Sequence, residues 1–163
     1  MKDISVYFTP VSDEFLPQGE ERTTVGHFTR FYAEGKSFPD LSDVNIAIIG
    51  VKEDRGNPEN RGSAEGPDFV RSRFYSLRRG IMVPSIADLG NILPGASAGD
   101  TYFALQEVIN ELLRKQILPV IIGDCDVEEL SWTIGMFQAI DMRVYNAASY
   151  QHLFQTWGIG YAP

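Results

Sequence analysis

The sequence predicts an α/β protein, with a mainly parallel sheet covered by helices on both faces in three α/β/α layers. Short apolar runs rich in β-branched residues alternate along the chain with segments whose apolar residues recur at helical spacing. Polar or glycine-containing loops separate these segments. The 163 residues, 44% of them apolar, suffice for one domain over residues 1–163.

The amino-terminal part, residues 1–43, is predicted to be an irregular extension of that domain. Glycine, proline and charged residues interrupt every long hydrophobic period there. The apolar residues of Ile4–Phe8 favour a short strand, and Phe28–Tyr32 favours one short helix.

The first strand–helix unit begins with Asn45–Val51, an apolar run typical of a buried parallel strand. A polar loop, Lys52–Gly66, follows it. Pro67 suits the first turn of a helix, where a missing N–H group costs nothing, so we expect a helix over Asp68–Arg79. The apolar positions near one face of this helix are Phe69, Val70, Phe74 and Leu77.

A second strand is predicted over Ser85–Gly90, and a third over Leu118–Gly123. Between them, Asp100 is expected to cap an amphipathic helix at Thr101–Gln116. The elements predicted for the rest of the chain are a helix at Val127–Ile140, a strand at Met142–Asn146 and a short helix at Ser149–Trp157.

Ligands of parallel sheets bind beyond the carboxyl ends of the strands. The loops expected to form a site are therefore residues 52–66, 88–99, 123–127 and 146–149. The first is the most polar, and its guanidinium at Arg61 could bind a carboxylate through two hydrogen bonds. The alternative is a solvated loop whose charges compensate each other. The candidate residues of this loop are Arg55, Asn60, Arg61 and Glu65. Asp88 could join the site, orient a loop or cap the turn that follows it.

An acidic cluster follows the third strand, at Asp124, Asp126, Glu128 and Glu129. It could hold a metal ion, with Asp124 and Asp126 as candidate ligands, or it could complement the positive end of a helix. The single cysteine, Cys125, could be a reactive thiolate at a helix N-terminus, but a buried and inert residue is expected. His27 and His152 lie far apart in sequence, without the spacing of metal ligands.

The net charge of −8 argues against binding of nucleic acids and of anionic membranes. A single cysteine allows no intrachain disulfide, as is usual in a reducing compartment. The start of the sequence does not read as a signal peptide, and its apolar runs are shorter than a membrane span. The sequence therefore indicates a cytoplasmic protein.

Three segments resemble the arginase/agmatinase/formimidoylglutamase (ureohydrolase) family: Ile46–Leu77, with its spaced glycines and Gly-Pro pair, Ile86–Ile92 and Leu118–Asp126. Val51–Gly56 and Asp100–Leu105 are most similar to its formimidoylglutamase-like branch. The best-matching core covers residues 45–126. The resemblance implies an arginase-like fold and a hydrolase in which two manganese ions activate water to cleave guanidino or formimino C–N bonds.

The chain departs from the family pattern at the metal ligands. Asp126 stands where the family has a manganese-binding histidine, and the Asp-Ala-His-x-Asp and Ser-x-Asp-x-Asp motifs have no counterpart. Two hypotheses therefore stay open, the hydrolase and a non-catalytic arginase-fold pseudoenzyme or assembly protein. Leu153–Tyr161 resembles a segment that lies near a later strand in the family. The resemblance therefore implies that the fold is truncated, with a piece missing between about residues 130 and 150. A shortened sheet would expose an edge, so we expect a homo-oligomer or a partner that covers it.

Overall fold

A computed structural model describes residues 3–17, 23–56, 61–80 and 84–123. This part of the chain is mixed α/β, with a five-stranded, mostly parallel sheet. The elements expected after residue 126 lie outside the described residues, as do Asn60, Asp124, Cys125 and Asp126.

The strands and helices follow each other in an alternating order from residue 46 onward, as the sequence predicts. The strands are β1 (Phe8–Thr9), β2 (Thr29–Phe31), β3 (Ile46–Val51), β4 (Ile86–Ile92) and β5 (Leu118–Gly123). The α-helices are α1 (Gly66–Phe74) and α2 (Ala98–Arg114). Short 3₁₀ helices are formed by Ser5–Tyr7, Asp13–Phe15, Gly26–Phe28 and Ser63–Glu65.

Strand β4 lies inside the sheet, with β3 on one side and β1 and β2 on the other, and β5 lies beyond β3. Strands β2, β3, β4 and β5 run parallel, whereas β1 is antiparallel to β4. The chain steps from β3 through α1 to β4, and then back through α2 past β3 to β5. Because such crossovers are right-handed, these opposite steps place α1 and α2 on opposite faces of the sheet.

The core follows the centre of the sheet. All seven residues of β4 and five of the six in β3 are buried. Since successive side chains of a strand point to opposite faces, both faces are covered there, and the prediction of buried parallel strands is confirmed. On one face, the core cluster consists of Val25, Ile48, Tyr75 and Ile86, with Phe31 and Phe74 packed against it.

The predicted apolar face of the first helix is wrong in part. Phe69 is 74% exposed and Leu77 is 56% exposed, and α1 ends at Phe74, before the predicted end. Phe74 packs against the core as predicted, but the most buried side chains over the sheet are those of Arg71 and Tyr75, one helical turn apart. They point inward because Asp88 presents a carboxylate on the sheet surface beneath the helix.

The N-cap of α2 is Ser97, and the prediction of Asp100 as the cap is wrong. The Ser97 hydroxyl accepts a hydrogen bond from Asp100 N, at 3.2 Å, while the Asp100 carboxylate accepts one from Ser97 N, at 2.9 Å. This reciprocal pair is a capping box, in which the acidic residue occupies the third helical position.

Two expectations for the amino-terminal extension are also wrong. Ser5–Tyr7 is a 3₁₀ helix rather than a strand, and Phe28 ends a 3₁₀ helix that leads into β2. Pairing with β4 decides both outcomes, since Phe8 pairs with Ile92 and β2 pairs with the first half of β4. Such long-range pairing is invisible to local hydrophobic patterns.

No helix within the described ranges is long and apolar enough to cross a membrane.

We predict that Gly50→Ala destabilises the protein by about 1–3 kcal/mol, the usual cost of overpacking a core. A Cβ atom at Gly50 would overlap Oδ1 of Asn91 and would lie 2.9 Å from Nη2 of Arg71, both held in place by hydrogen bonds. Urea denaturation measures the change. Gly66→Ala is the control, because nothing lies within 4 Å of a Cβ there. An equal loss of stability in both variants would contradict the argument.

Candidate functional site at the carboxyl edge of the sheet

The carboxyl ends of β3, β4 and β5 meet at one edge of the sheet because these strands are parallel. The loop after β3, residues 52–56, and the loop after β4, residues 93–97, both leave the sheet at this edge. The amino end of α1 also lies there, since α1 returns antiparallel to β3. The sequence predicted this edge as the place to look for a site.

Arg71 is the centre of a buried hydrogen-bond network beneath this edge. Its side chain is 0% exposed and forms a two-point ion pair with Asp88, from Nε at 2.8 Å and from Nη2 at 3.0 Å. Nη1 donates to Asn91 Oδ1 at 2.7 Å and to Asp68 Oδ1 at 3.4 Å, and Nη2 donates to the Gly90 carbonyl at 3.0 Å. All five guanidinium N–H groups therefore have an acceptor.

Asp88 accepts two further hydrogen bonds, from the Tyr75 hydroxyl and from Gly90 N at 2.9 Å. The bond to Gly90 is the turn-capping contact considered from the sequence, and Gly90 has a positive φ of 88°. Burial and the adjacent carboxylate raise the pKa of Tyr75, which keeps its hydroxyl protonated as a donor. Burial opposes the charge on Arg71, but the hydrogen bonds to Asp88 together with the electrostatic attraction of Asp88, Tyr75 and Asp68 outweigh burial and raise its pKa.

A second network closes the loop after β3. The Glu53 side chain is buried and accepts hydrogen bonds from Arg55 N at 2.8 Å, Arg55 Nε at 2.9 Å and the Thr101 hydroxyl at 3.1 Å. Nη1 of Arg55 donates to the carbonyls of Gly95 and Ala96, at 3.1 and 3.2 Å. The candidate residue Arg55 thus joins the loops after β3 and β4 to the first turn of α2.

Lys52 connects the same loop to α1. Its Nζ atom lies 2.6 Å from Asp68 Oδ2 and 3.1 Å from Glu65 Oε2. Burial lowers the pKa of Lys52, but the hydrogen bonds to these two carboxylates outweigh burial and raise it. The candidate residue Glu65 therefore serves as one of two anionic partners of Lys52. Asp54 accepts a hydrogen bond from Gly62 N at 2.7 Å, which draws the two ends of the polar loop together.

Arg61 and Ser63 differ from the neighbouring loop residues in that the described part of the structure shows no ion pair for Arg61 and no hydrogen bond for the Ser63 hydroxyl. Arg61 is exposed, and within the described ranges no ion pair involves it. The hydroxyl oxygen of Ser63 is buried and, as far as the structure is described, has no hydrogen-bond partner. Buried polar atoms without a partner are few in folded proteins. Asn60, the fourth loop candidate, lies outside the described residues.

Sequence reasoning missed most of the network around Asp88. The members it did not select are Asp68, Tyr75 and Asn91. In the Glu53 network it did not select Thr101. One signal was present, since Asp88 and Asn91 are polar residues inside an otherwise apolar strand, and a buried polar group needs a partner. Arg71 and Tyr75, four residues apart on one helix, could have been recognised as that partner.

The described residues do not themselves form a manganese centre. No group of three or more His, Cys, Asp or Glu side chains in the described part could hold a metal ion. The candidate ligands Asp124 and Asp126 follow β5 directly in sequence but lie outside the described residues. His27 is exposed and precedes β2, at the end of the sheet opposite this edge.

No protein-family model, curated protein or solved structure matches this chain.

We predict that Asp88→Asn destabilises the protein by about 3–5 kcal/mol, because it leaves the buried Arg71 charge without its counter-charge. Urea denaturation with circular dichroism measures the effect. Asp43→Asn is the matched control. Asp43 pairs with Arg30 at 2.5 Å, but both side chains are largely exposed, and such pairs contribute roughly 0–1 kcal/mol. Similar losses in the two variants would refute a special role for the buried pair.

We predict that Glu53→Gln weakens the dependence of stability on acid pH. Hydrogen bonds from Arg55 lower the Glu53 pKa below its ordinary 4.5. A carboxylate whose pKa is lower in the folded protein than in the unfolded chain stabilises the fold at pH above the unfolded-state pKa. This stabilisation is lost as the pH falls through the folded-state pKa. Denaturation midpoints at pH 7 and pH 3.5 should therefore differ less in the variant than in the parent. Glu34→Gln, at an exposed position, should leave that difference unchanged.

Proposed function

We propose that this chain is an arginase-like protein of the formimidoylglutamase-like branch, a scaffold for manganese-dependent hydrolysis of guanidino or formimino C–N bonds. The Arg71 network is the main support. It joins Gly50, Arg71 and Asp88, which belong to two of the three segments that resemble the family. The described part of the third segment, β5, pairs with β3 along its whole length. The described parts of the three resembling segments are therefore adjacent in space.

Two features of the edge next to these segments support recognition of such a substrate. The loop over residues 52–56 is held by Glu53 and Lys52, so its backbone is fixed before any ligand arrives. Arg61 follows this loop, exposed and without an ion pair in the described part of the chain. A guanidinium in that position suits a carboxylate group, which formimino and guanidino derivatives of amino acids carry.

A non-catalytic role is the second candidate, and two observations favour it. Asp126 replaces the histidine of the family pattern, and the two further ligand motifs have no counterpart in this sequence. In addition, the charged groups of the described edge are largely engaged with one another, as in the pairs Glu53–Arg55 and Arg71–Asp88. Such an arrangement fits a structural scaffold that assembles with other chains.

For a hydrolase, we expect the purified protein to bind manganese stoichiometrically and to release formamide from a formimino amino acid or urea from a guanidino compound. Elemental analysis measures the metal, and product assays measure turnover. Arg61→Met should raise KM for a substrate with a carboxylate and leave kcat nearly unchanged, since Arg61 would bind the substrate rather than act on the reacting bond.

Arg114→Met is the matched control, because Arg114 is an exposed arginine at the far end of α2. It should leave KM unchanged. Absence of bound metal together with absence of product after manganese loading would reject the hydrolase and leave the non-catalytic alternative.

A further inference from the structure

The outer surface of α1 combines exposed apolar and cationic side chains. Eight large apolar residues are exposed in the described part of the chain, and four of them lie on α1, on the turn that follows it or on the adjoining 3₁₀ helix. These four are Phe28, Phe69, Val70 and Leu77. We call this surface, together with Arg73, Arg78 and Arg79, the α1 outer patch.

The residues of the patch are held together by backbone hydrogen bonds. Val25 N donates to the Leu77 carbonyl at 2.8 Å, and Arg79 N donates to the Thr23 carbonyl at 2.8 Å. These bonds place the residues that precede β2 beside the residues that follow α1. The guanidinium of Arg79 then covers the Phe28 ring at 4.0 Å from its centroid. An aromatic and a cationic group of the patch are thus in direct contact beside the end of α1.

The charge of the patch is opposite to that of the chain. Residues 69–79 contain four arginines and no acidic residue, whereas the whole chain carries 22 acidic and 14 basic residues. Arg71 is buried in the ion pair with Asp88 and does not contribute to the surface charge. Arg73, Arg78 and Arg79 are exposed and form no ion pair within the described ranges. Arginines near a helix carboxyl end complement the helix dipole, yet that effect leaves the 74% exposure of Phe69 unexplained.

Aromatic residues and arginine are enriched in protein interfaces, and clustered exposed apolar residues mark surfaces that bind other molecules. We propose that the α1 outer patch binds a second copy of this chain, through an acidic surface of that copy. Charge complementarity supports this occupant, because a chain with a net charge of −8 presents acidic surface to a basic patch. Patch-to-patch contact would set arginines against arginines, so the contact joins two different surfaces.

Sedimentation velocity of the full chain between about 5 and 200 µM tests the proposal, at 50 mM and at 500 mM salt. We expect the mean mass to rise with concentration at low salt and to fall toward that of one chain at high salt, because exposed charges are screened. A mass equal to one chain at all concentrations and at both salt levels would overturn the proposal.

Two variants locate the contact. Phe69→Ser and the double variant Arg73→Glu with Arg79→Glu should each weaken association at least tenfold. The matched controls are Phe103→Ser, at a phenylalanine of α2 that is 62% exposed, and the double variant Lys36→Glu with Arg114→Glu, at two exposed cations outside the patch. Both controls should associate as the parent does.

Association that the patch variants leave intact would place the contact elsewhere and would also refute the proposal. Because all substituted side chains are exposed, urea denaturation should confirm that each variant is folded. The test does not involve hydrolysis, so its outcome is independent of the proposed activity.

Discussion

The buried ion pair between Arg71 and Asp88 determines how the described part of this protein is organised. Both side chains are completely inaccessible to solvent, and removing two charges from water is costly unless every donor and acceptor finds a partner. Here the partners come from Asn91, the Gly90 carbonyl and Tyr75. The requirement to satisfy this pair fixes the rotation of α1 about its axis and its position over β4.

That rotation also explains the surface of α1. Arg71 is buried on the inward side of α1, and Tyr75, directly after the last residue of the helix, continues that side. Phe69 and Leu77 are consequently turned away from the sheet. The orientation of α1 that buries the polar network therefore also exposes the apolar side chains of the α1 outer patch, at the cost of leaving their apolar area in water.

The sequence predicted the sheet better than the helices that cover it. Ile46–Val51 and Leu118–Gly123 could be recognised because runs of consecutive apolar residues are typical of parallel strands. The buried face of α1 could not be predicted from apolar periodicity, because Arg71 is drawn inward by the carboxylate of Asp88, which lies 17 positions further along the chain. Strand β2 was missed because its pairing with β4 spans more than fifty residues.

The carboxyl edge was predicted from topology, but the roles of its residues depend on geometry that the sequence does not contain. The sequence offered Arg55 as a substrate-binding candidate or as one charge of a self-compensating loop, and in the structure Glu53 and two backbone carbonyls hold it in place. A loop ordered in this way has lost its conformational entropy during folding, so a ligand that binds next to it does not bear that cost again. Glu53 and Arg55 thus hold the loop over residues 52–56 in one conformation whether or not a ligand binds beside it.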